Sequence, residues 1–361
     1  MKILQVINSL RSGGAEKLIV DACIKYREQG LEVDLLLLDS TETPFYKTLK
    51  AYNEVKIIAL GGYKNIYNPL NIFKLKTYLN KYDVIHVHLF PASYWVAFSK
   101  LITYKKQKVV FTEHNSTNRR RNNPLFKVLD TLVYKQFNKV VTISEAVDQN
   151  LKKHLGTHIN KKIVKIYNGI DLLAIENAKP YNREELGFID SDKLLLQVSS
   201  FTPQKDQKTV IRALPLLPSN YKLLLVGTGK LQDECLNLCK KINVQERVKF
   251  LGIRNDVPRL LKTVDVVILS SHFEGLSLSC IEGMASGKPF IATDALGLGE
   301  VVKGAGIIFE KNNDRQLSKI IEKLINDLEY KNKIVSHCQE RAKNFDINNM
   351  VSRYIEMYES L

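Results

Sequence analysis

The sequence has few cysteines and no long apolar run, and both absences limit what the chain can be. Five cysteines occur among 361 residues, and their spacing fits neither a disulfide framework nor a metal site. No apolar stretch approaches the roughly eighteen residues that a membrane-spanning helix needs. The apolar segment at the N-terminus is too short for the core of a signal peptide. We therefore expect a protein of the reducing cytoplasm.

Acidic residues are scarce in the first half of the chain. Residues 1–180 hold 28 Lys and Arg against 15 Asp and Glu, whereas residues 181–361 hold 25 against 23. Most of the formal net charge of +15 therefore belongs to the first half. Such a surface attracts nucleic acid, an anionic membrane or a phosphorylated substrate. The length is sufficient for two α/β domains of ordinary size.

The stretch Phe273–Pro289 carries the clearest functional pattern. An apolar β-branched strand precedes it at 264–269, and Gly287 and Pro289 end a helix predicted over 277–286. A helix N-terminus suits a phosphate group. Glu274 in the loop and Glu282 in the helix can face hydroxyl groups on either side of that phosphate. A phosphate between two hydroxyl-rich groups describes a nucleotide sugar.

Apolar β-branched runs elsewhere predict further strands, several of them followed by helices. Gly13 and Gly14 form a glycine-rich turn before a helix that ends near Gln29. This turn lacks the Gly-x-Gly-x-x-Gly spacing, so it does not indicate dinucleotide binding. The other predicted strands lie at 2–7, 32–38, 55–60, 83–88, 108–112, 140–144, 163–167, 194–198, 221–226, 248–252 and 290–292.

A second anion-binding pattern follows the strand at 194–198. Thr202 is a suitable N-cap and Pro203 a suitable first helical residue, which predicts Lys205 in the first helical turn. A cation is unfavourable there unless it and the helix end hold the same anion. Gly227 and Gly229 follow the next strand, but the surrounding residues do not match a P-loop.

Histidines mark the ends of two predicted strands in the first half. His86 and His88 alternate onto one face of their strand, and no third metal ligand accompanies them. We favour a structural role or a hydrogen bond at a cleft edge over a metal site. His114 stands at the carboxyl end of its strand, where parallel sheets bind ligands.

A basic cluster of Arg119, Arg120 and Arg121, followed by Lys127, accompanies an apolar helix face. The apolar face by itself indicates core packing. Together with the cations it suits an anionic membrane surface or a lipid-pyrophosphate acceptor. A solvated loop explains the cluster equally well. The apolar residues of this face are Leu125, Phe126, Leu129, Leu132 and Val133.

The stretch at 273–293 resembles the donor-site signature of retaining glycosyltransferases of family 4, which have the GT-B fold. Its sequence is FEGLSLSCIEGMASGKPFIAT, with the two glutamates eight positions apart. Further motifs of that family follow the same order along nearly the whole chain: the Gly-Gly loop, Thr-x-His ending at His114, Asn-Gly-x-Asp at 168–171, Lys205, Gly-x-Gly at 227–229 and an amphipathic C-terminal helix.

The resemblance implies an α/β protein with two Rossmann-like, doubly wound domains and a donor cleft between them. The first domain would span 1–170, joined by a returning helix at 346–361, and the second 171–345. The implied activity is transfer of a hexose or N-acetylhexosamine from a nucleoside diphosphate sugar, for which we expect UDP. The acceptor would be a hydroxyl of a glycan or lipid-linked glycan in polysaccharide or lipopolysaccharide biosynthesis, with the protein peripheral at the inner face of the membrane.

The resemblance also assigns roles to residues. His114, Glu274 and Lys205 would be catalytic. The usual pattern has Arg where this chain has Ser200, and a hydroxyl cannot replace the bidentate charge of a guanidinium. We assign no acid–metal–acid (Asp-x-Asp) motif, and the resembled enzymes need neither metal nor cofactor. The donor-binding residues would be Gly14, Ser200, Lys205, Gly227, Gly229, Arg254, Glu274, Gly275, Leu276, Ser277 and Glu282.

No nucleophile is placed for double displacement, so we expect same-face substitution in which the leaving phosphate helps to deprotonate the acceptor. Three rivals stay open. A nucleotide-sugar epimerase of the same architecture needs proton-moving carboxylates in the first domain, where Glu113 is the clear candidate. A glycosidase uses paired carboxylates, but here the two glutamates flank an anion site. A nucleic-acid binder explains the charge and leaves the ordered phosphate-site turns unexplained.

Overall fold

A computed structural model describes residues 1–11, 13–103, 107–115, 121 and 123–361, with the side chains of residues 157 and 158 excluded. The chain divides into two compact units. The first comprises Met1–Gly169 together with Ile347–Leu361, and the second comprises Ile170–Asp346.

The first unit is built on a parallel sheet of seven strands in the order β3-β2-β1-β4-β5-β6-β7. Its strands are β1 Lys2–Ile7, β2 Glu32–Leu37, β3 Lys56–Ala59, β4 Val84–His88, β5 Lys108–Glu113, β6 Lys139–Thr142 and β7 Ile163–Lys165. Its helices before the second unit are α1 Gly14–Glu28, α2 Pro44–Tyr52, α3 Asn71–Leu79, α4 Ala92–Leu101, α5 Pro124–Lys135 and α6 Glu145–Leu155. The strand order reverses between β1 and β4, which makes their carboxyl ends a switch point.

The second unit repeats this plan with six parallel strands in the order β10-β9-β8-β11-β12-β13. Its strands are β8 Lys193–Val198, β9 Tyr221–Val226, β10 Val248–Gly252, β11 Val266–Leu269, β12 Phe290–Thr293 and β13 Ile307–Phe309. Its helices are α7 Leu172–Glu176, α8 Gln207–Ala213, α9 Gln232–Lys241, α10 Val257–Thr263, α11 Leu278–Ala285, α12 Gly299–Val302, α13 Asp314–Asn326 and α14 Leu328–Ala342. The reversal here lies between β8 and β11, and the prediction of two doubly wound sheets is confirmed.

The last helix, α15 Ile347–Glu359, returns to the first unit. Tyr354 and Tyr358 on one face of this helix are buried against the first sheet. The Tyr358 hydroxyl lies 2.5 Å from His86 Nδ1 and 3.2 Å from the Tyr26 hydroxyl. The C-terminal segment is therefore an amphipathic helix whose aromatic face is the buried one.

One helix start was predicted wrongly. The helix after β8 begins at Gln207 rather than at Pro203, and Thr202 does not cap it. Residues 202–205 instead form a turn closed by the Lys205 N–H donating to the Thr202 carbonyl at 3.0 Å. Asp206 then adopts a left-handed conformation with φ of 42°. Lys205 thus precedes the helix. Its charge is not in the first helical turn, where we had expected the helix dipole to disfavour it.

No helix within the described ranges is both long enough and apolar enough to cross a bilayer. The strands at the centre of each sheet are the apolar runs identified from the sequence, and their residues are almost completely buried. Burial on both faces is expected for parallel strands that are covered by helices.

Candidate active site

The two residues of the second unit that were predicted to be catalytic lie on loops after neighbouring strands. Lys205 follows β8, and Glu274 follows β11. These strands pair in the sheet at the point where the strand order reverses. Loops at such a point diverge to opposite sides of the sheet and leave a crevice for ligands.

Lys205 and Glu274 form an ion pair. Lys205 Nζ lies 2.5 Å from Glu274 Oε1, and the exposed fractions of the two side chains are 16% and 6%. Gln204 Nε2 donates to the other carboxylate oxygen at 3.3 Å and to the Phe273 carbonyl at 2.7 Å. The carboxylate therefore holds the ammonium group in a defined place at the edge of the sheet.

A buried polar network supports the Lys205 loop, and the sequence analysis missed it. Gln197 Nε2 donates to the Lys205 carbonyl at 2.9 Å, and the Ser270 hydroxyl lies 3.0 Å from Gln197 Oε1. Gln207 Nε2 donates to Ser199 Oγ at 2.9 Å. The available signal was Gln197 itself, because a glutamine within an apolar strand needs buried partners.

Three glycines bring backbone segments closer together than any side chain allows. Gly227 and Gly229 have φ of 128° and 156°, and a Cβ on either would lie under 3.0 Å from backbone of Ser199 or Phe201. Gly297 has φ of 84°, and a Cβ there would collide with the Glu274 carbonyl. These positions require glycine, as turns that approach a ligand commonly do.

The helix α11 begins directly after the Glu274 loop. Ser277 is its N-cap residue and makes no side-chain capping hydrogen bond. Leu276 is buried beside it, whereas Gly275 is partly exposed. Glu282 is the fifth residue of the helix, about one turn from its start, and it is buried, with an exposed fraction of 7%. An uncapped N-terminus presents partial positive charge to an anion.

Two other predicted donor contacts have different surroundings. Ser200 is exposed at the start of the Lys205 loop. Arg254 Nε and Nη2 donate to the two carboxylate oxygens of Asp256 at 2.8 and 2.6 Å, and Nη2 also donates to the Tyr181 hydroxyl at 3.1 Å. This guanidinium lowers the pKa of Asp256 to about 2.

In the first unit, the glycine-rich turn after β1 leads directly into α1. Gly13 is the N-cap and Gly14, which is exposed, begins the helix. The Glu16 carboxylate lies over Gly13 and fills the space that a Cβ would need. Burial raises the pKa of Glu16 to about 7.

His86, His88 and His114 of the first unit lie together at the carboxyl ends of β4 and β5. His88 Nδ1 is 3.1 Å from His114 Nε2, and His86 Nε2 is 2.7 Å from Thr112 Oγ1. Burial lowers the pKa of His86 to about 3 and that of His114 to about 4. His86 is therefore a structural residue, and His114 is a neutral imidazole at neutral pH.

Glu113 is fully engaged by its neighbours. Its Oε2 accepts from Arg121 Nη2 and from the Tyr134 hydroxyl, both at 2.8 Å, and its Oε1 accepts from the Asn115 N–H at 3.1 Å. The Arg121 side chain is only 10% exposed, so it is not the exposed cation that we expected. Arg119 and Arg120 lie outside the described residues.

The apolar face predicted for α5 is divided in two. Val133 is buried and Leu129 packs against the core of the first unit. By contrast, Leu125, Val128 and Leu132 are 74%, 62% and 53% exposed and share one face at i, i+3 and i+7. Lys127 is exposed on the same helix.

An Asp-x-Asp spacing, which we did not assign from the sequence, occurs at 190–192 as Asp190-Ser191-Asp192. It precedes β8, at the opposite end of that strand from Lys205, and Asp192 Oδ2 accepts from the Ile189 N–H at 3.1 Å. Within the described ranges, no group of three or more His, Cys, Asp or Glu residues could hold a metal ion.

The second unit thus gathers the parts of a phosphate site with hydroxyl-binding groups beside it. A lysine, an uncapped helix N-terminus and closely packed glycine turns can stabilise negative charge on a leaving phosphate. Two buried carboxylates can accept hydrogen bonds from hydroxyl groups.

Two family models match the chain and together span almost all of it. Glycosyltransferase Family 4 matches residues 12–172, and Glycosyl transferases group 1 matches residues 178–344. An uncharacterized glycosyltransferase of Methanocaldococcus jannaschii is 28% identical, with 96% of this chain and 95% of the relative covered.

A Campylobacter jejuni relative is 26% identical, with 94% of each chain covered. It is named N-acetylgalactosamine-N,N'-diacetylbacillosaminyl-diphospho-undecaprenol 4-alpha-N-acetylgalactosaminyltransferase. The crystal structure of Anabaena Alr3699/HepE in complex with UDP and glucose superposes with a TM-score of 0.87 at 25% identity, covering all of both chains. The chain therefore belongs to the GT-B glycosyltransferases of group 1 and family 4, and it is a hexosyltransferase.

Proposed function

We propose that this glycosyltransferase transfers a hexose or N-acetylhexosamine from a UDP-sugar to a hydroxyl of a lipid-linked glycan in surface polysaccharide biosynthesis, with retention at the anomeric carbon. The observation that carries the donor half is the Lys205–Glu274 pair beside the uncapped N-terminus of α11. The similarity to a structure that contains UDP and glucose supports UDP as the nucleotide. The relative named for an undecaprenol-linked acceptor supports a lipid-linked acceptor.

Each group of the donor site has a distinct role in this proposal. Lys205 and the N–H groups at the start of α11 bind the diphosphate and stabilise the charge that develops on it. Glu274 accepts hydrogen bonds from hydroxyl groups of the sugar and orients it, and Glu282 accepts from the ribose. Lys205 carries this charge stabilisation without a second cation at position 200, where the chain has serine.

The proposed chemistry needs no enzyme nucleophile, metal or cofactor. The bond between the anomeric carbon and the phosphate oxygen breaks, and the acceptor oxygen attacks from the same face. The departing phosphate takes the acceptor proton, so retention results without a covalent intermediate on the protein. A glycosyl group trapped on a side chain of this enzyme would refute that mechanism.

The first unit would supply the acceptor side. Its excess of Lys and Arg suits an anionic membrane surface. The exposed apolar face of α5, with Lys127 beside it, has the composition of a helix that lies in the interface plane. Within this proposal the protein associates peripherally with the membrane that holds its acceptor. Glu113 does not favour an epimerase, because Arg121, Tyr134 and the Asn115 N–H engage its carboxylate.

Thermal unfolding with UDP, GDP, ADP and their sugars tests the donor. A ligand at one hundred times its dissociation constant adds about 2.7 kcal/mol to the free energy of unfolding. We expect UDP or a UDP-sugar to raise the melting temperature of the wild type and of Glu329→Gln, a control on the exposed start of α14. Glu282→Gln should lose most of that shift.

The result also separates donor binding from catalysis. Stabilisation by GDP or ADP instead of UDP would replace the proposed nucleotide. The absence of stabilisation by any nucleotide would refute the donor site. Stabilisation by a UDP-sugar without transfer to a lipid-linked glycan would support the proposed donor site and refute the proposed acceptor.

A further inference from the structure

A chain of hydrogen bonds runs from the returning helix to His114. Gln5 Nε2 donates to the Tyr358 hydroxyl at 3.5 Å, and Gln5 Oε1 lies 2.7 Å from His88 Nε2. His88 Nδ1 lies 3.1 Å from His114 Nε2. The side chains of Gln5, His88 and Tyr358 are buried, so water does not compete for these contacts.

The direction of each bond follows from the chemistry of the atoms. An amide oxygen only accepts, so the atom facing it, His88 Nε2, must carry the hydrogen. A neutral imidazole has one N–H, and His88 Nδ1 is therefore an acceptor. His114 Nε2, which faces that acceptor, must then be the donor. It follows that His114 Nδ1 carries a lone pair and no hydrogen.

The other end of the chain fixes the orientation of the Gln5 amide. The Tyr358 hydroxyl has a single hydrogen, and we assign it to the shorter contact, His86 Nδ1 at 2.5 Å, rather than to the Tyr26 hydroxyl at 3.2 Å. His86 then carries its hydrogen on Nε2, which lies 2.7 Å from Thr112 Oγ1. With its hydrogen donated to His86, Tyr358 accepts from the Gln5 amide nitrogen. The amide oxygen is thereby turned toward His88.

We propose that Gln5 and His88 are positioning residues that hold His114 in the tautomer with hydrogen on Nε2, which leaves Nδ1 as a hydrogen-bond acceptor. Within the described residues, His114 Nδ1 has no hydrogen-bond partner. The inference rests on the proposed function in one respect, the assignment of His114 to the transfer reaction. It deepens that assignment, because an acceptor nitrogen binds a sugar hydroxyl and cannot donate to a phosphate oxygen.

Burial supports this picture by keeping the histidines neutral. It lowers the pKa of His114 to about 4 and holds that of His88 well below its usual value. A protonated His114 would donate from both nitrogens, and Nδ1 would no longer be an acceptor. The polar residues Gln5 and His88 on β1 and β4 thus have a role that packing alone does not explain.

Long-range proton–nitrogen NMR of the imidazole rings tests the tautomer of His114 in the full chain, with no nucleotide sugar bound. His114→Gln and His88→Gln identify the two signals by their loss. We expect a pyrrole-like Nε2 and a pyridine-like Nδ1 for both residues at neutral pH. A pyrrole-like Nδ1 on His114 would overturn the proposal, since every bond in the chain would then run the other way.

Two substitutions at position 5 test whether Gln5 determines the tautomer of His114. Gln5→Glu keeps an oxygen acceptor opposite His88 Nε2 but removes the donor to the Tyr358 hydroxyl, and we expect it to keep the His114 tautomer. Gln5→Leu removes the acceptor, so the second tautomer should become populated and kcat/KM should fall by about tenfold or more. An unchanged tautomer in folded Gln5→Leu would overturn the role of Gln5.

The NMR result does not depend on transferase activity. If His114 has the expected tautomer and Gln5→Leu alters it, the positioning role stands even when no nucleotide sugar supports transfer. In that case the proposed function fails and the hydrogen-bond chain remains. A wild-type His114 that exchanges equally between both tautomers would instead refute the positioning role.

Discussion

Lys205 Nζ lies 2.5 Å from Glu274 Oε1, and the two residues come from loops that are 69 positions apart in the chain. Each loop follows a strand at the switch point of the second sheet. The fold therefore places a cation and a carboxylate in contact at the edge where parallel sheets bind ligands. The pair is both a structural element and the centre of the proposed donor site.

The pair should be coupled energetically. Removing one partner leaves the other charge buried, so Lys205→Met or Glu274→Gln is expected to lower the free energy of unfolding by about 3–5 kcal/mol. The double variant should cost clearly less than the sum of the single variants. Urea unfolding of all four proteins measures the coupling. Simple additivity would contradict the ion pair, whereas loss of transfer is expected in every variant.

Gly297 and Gly30 form a matched pair for testing the close backbone contact at the Glu274 loop. Both have φ near 80°, with values of 84° and 80°, but only a Cβ at Gly297 meets the Glu274 carbonyl. Gly30→Ala should cost about 1–2 kcal/mol from the left-handed conformation alone. Gly297→Ala should cost more and should abolish stabilisation by the donor nucleotide. Thermal melts with and without UDP provide the comparison, and equal effects would contradict the predicted contact.

The histidine cluster predicts loss of stability in mild acid. The pKa of His86, His88 and His114 is lower in the folded chain than in the unfolded chain, so the unfolded state binds more protons below about pH 6.5. The free energy of unfolding should therefore fall as the pH drops from about 6.5 to 4.

His114→Gln should reduce the slope of this dependence by up to about 1.4 kcal/mol per pH unit, since one proton no longer binds on unfolding. His337→Gln, at an exposed position on α14, should leave the slope close to wild type. Urea unfolding across this pH range measures the slopes. If His114→Gln left the slope unchanged, His114 would not be buried in its neutral form.

The exposed face of α5 predicts a membrane-binding defect. Replacing Leu125 and Val128 by serine should weaken binding to vesicles that contain anionic lipid by about tenfold or more, because two apolar side chains no longer leave water. Leu328→Ser, an equally exposed position on α14, is the control. Vesicle sedimentation at two salt concentrations measures both effects. Wild-type binding by the α5 variant would exclude this face as the docking surface.

Much of the architecture was readable from local patterns. Apolar runs located the described strands except β13, whose three residues at 307–309 were not predicted, and the family motifs stand in the expected order along the chain. Glycine at 227 and 229 could be identified as turn residues, because left-handed backbone strongly favours glycine. These features depend on neighbouring residues, and a short stretch of sequence contains them completely.

Contacts between distant parts of the chain were not readable in this way. The helix at 207 was predicted four residues too early, since the signal from Thr202 and Pro203 is local whereas the actual turn depends on partners in other strands. Arg121 looked like a surface cation until Glu113, eight positions earlier, was found beside it.

The same distinction applies to the candidate site. The sequence supplied His114, Lys205 and Glu274 as chemically suitable residues after strands, and Glu282 as one within the following helix. It did not indicate that Gln5 and His88 determine which nitrogen of His114 is available. A tautomer depends on the atoms that face both ring nitrogens. Those atoms come from β1, β4 and the returning helix, which meet only in the folded chain.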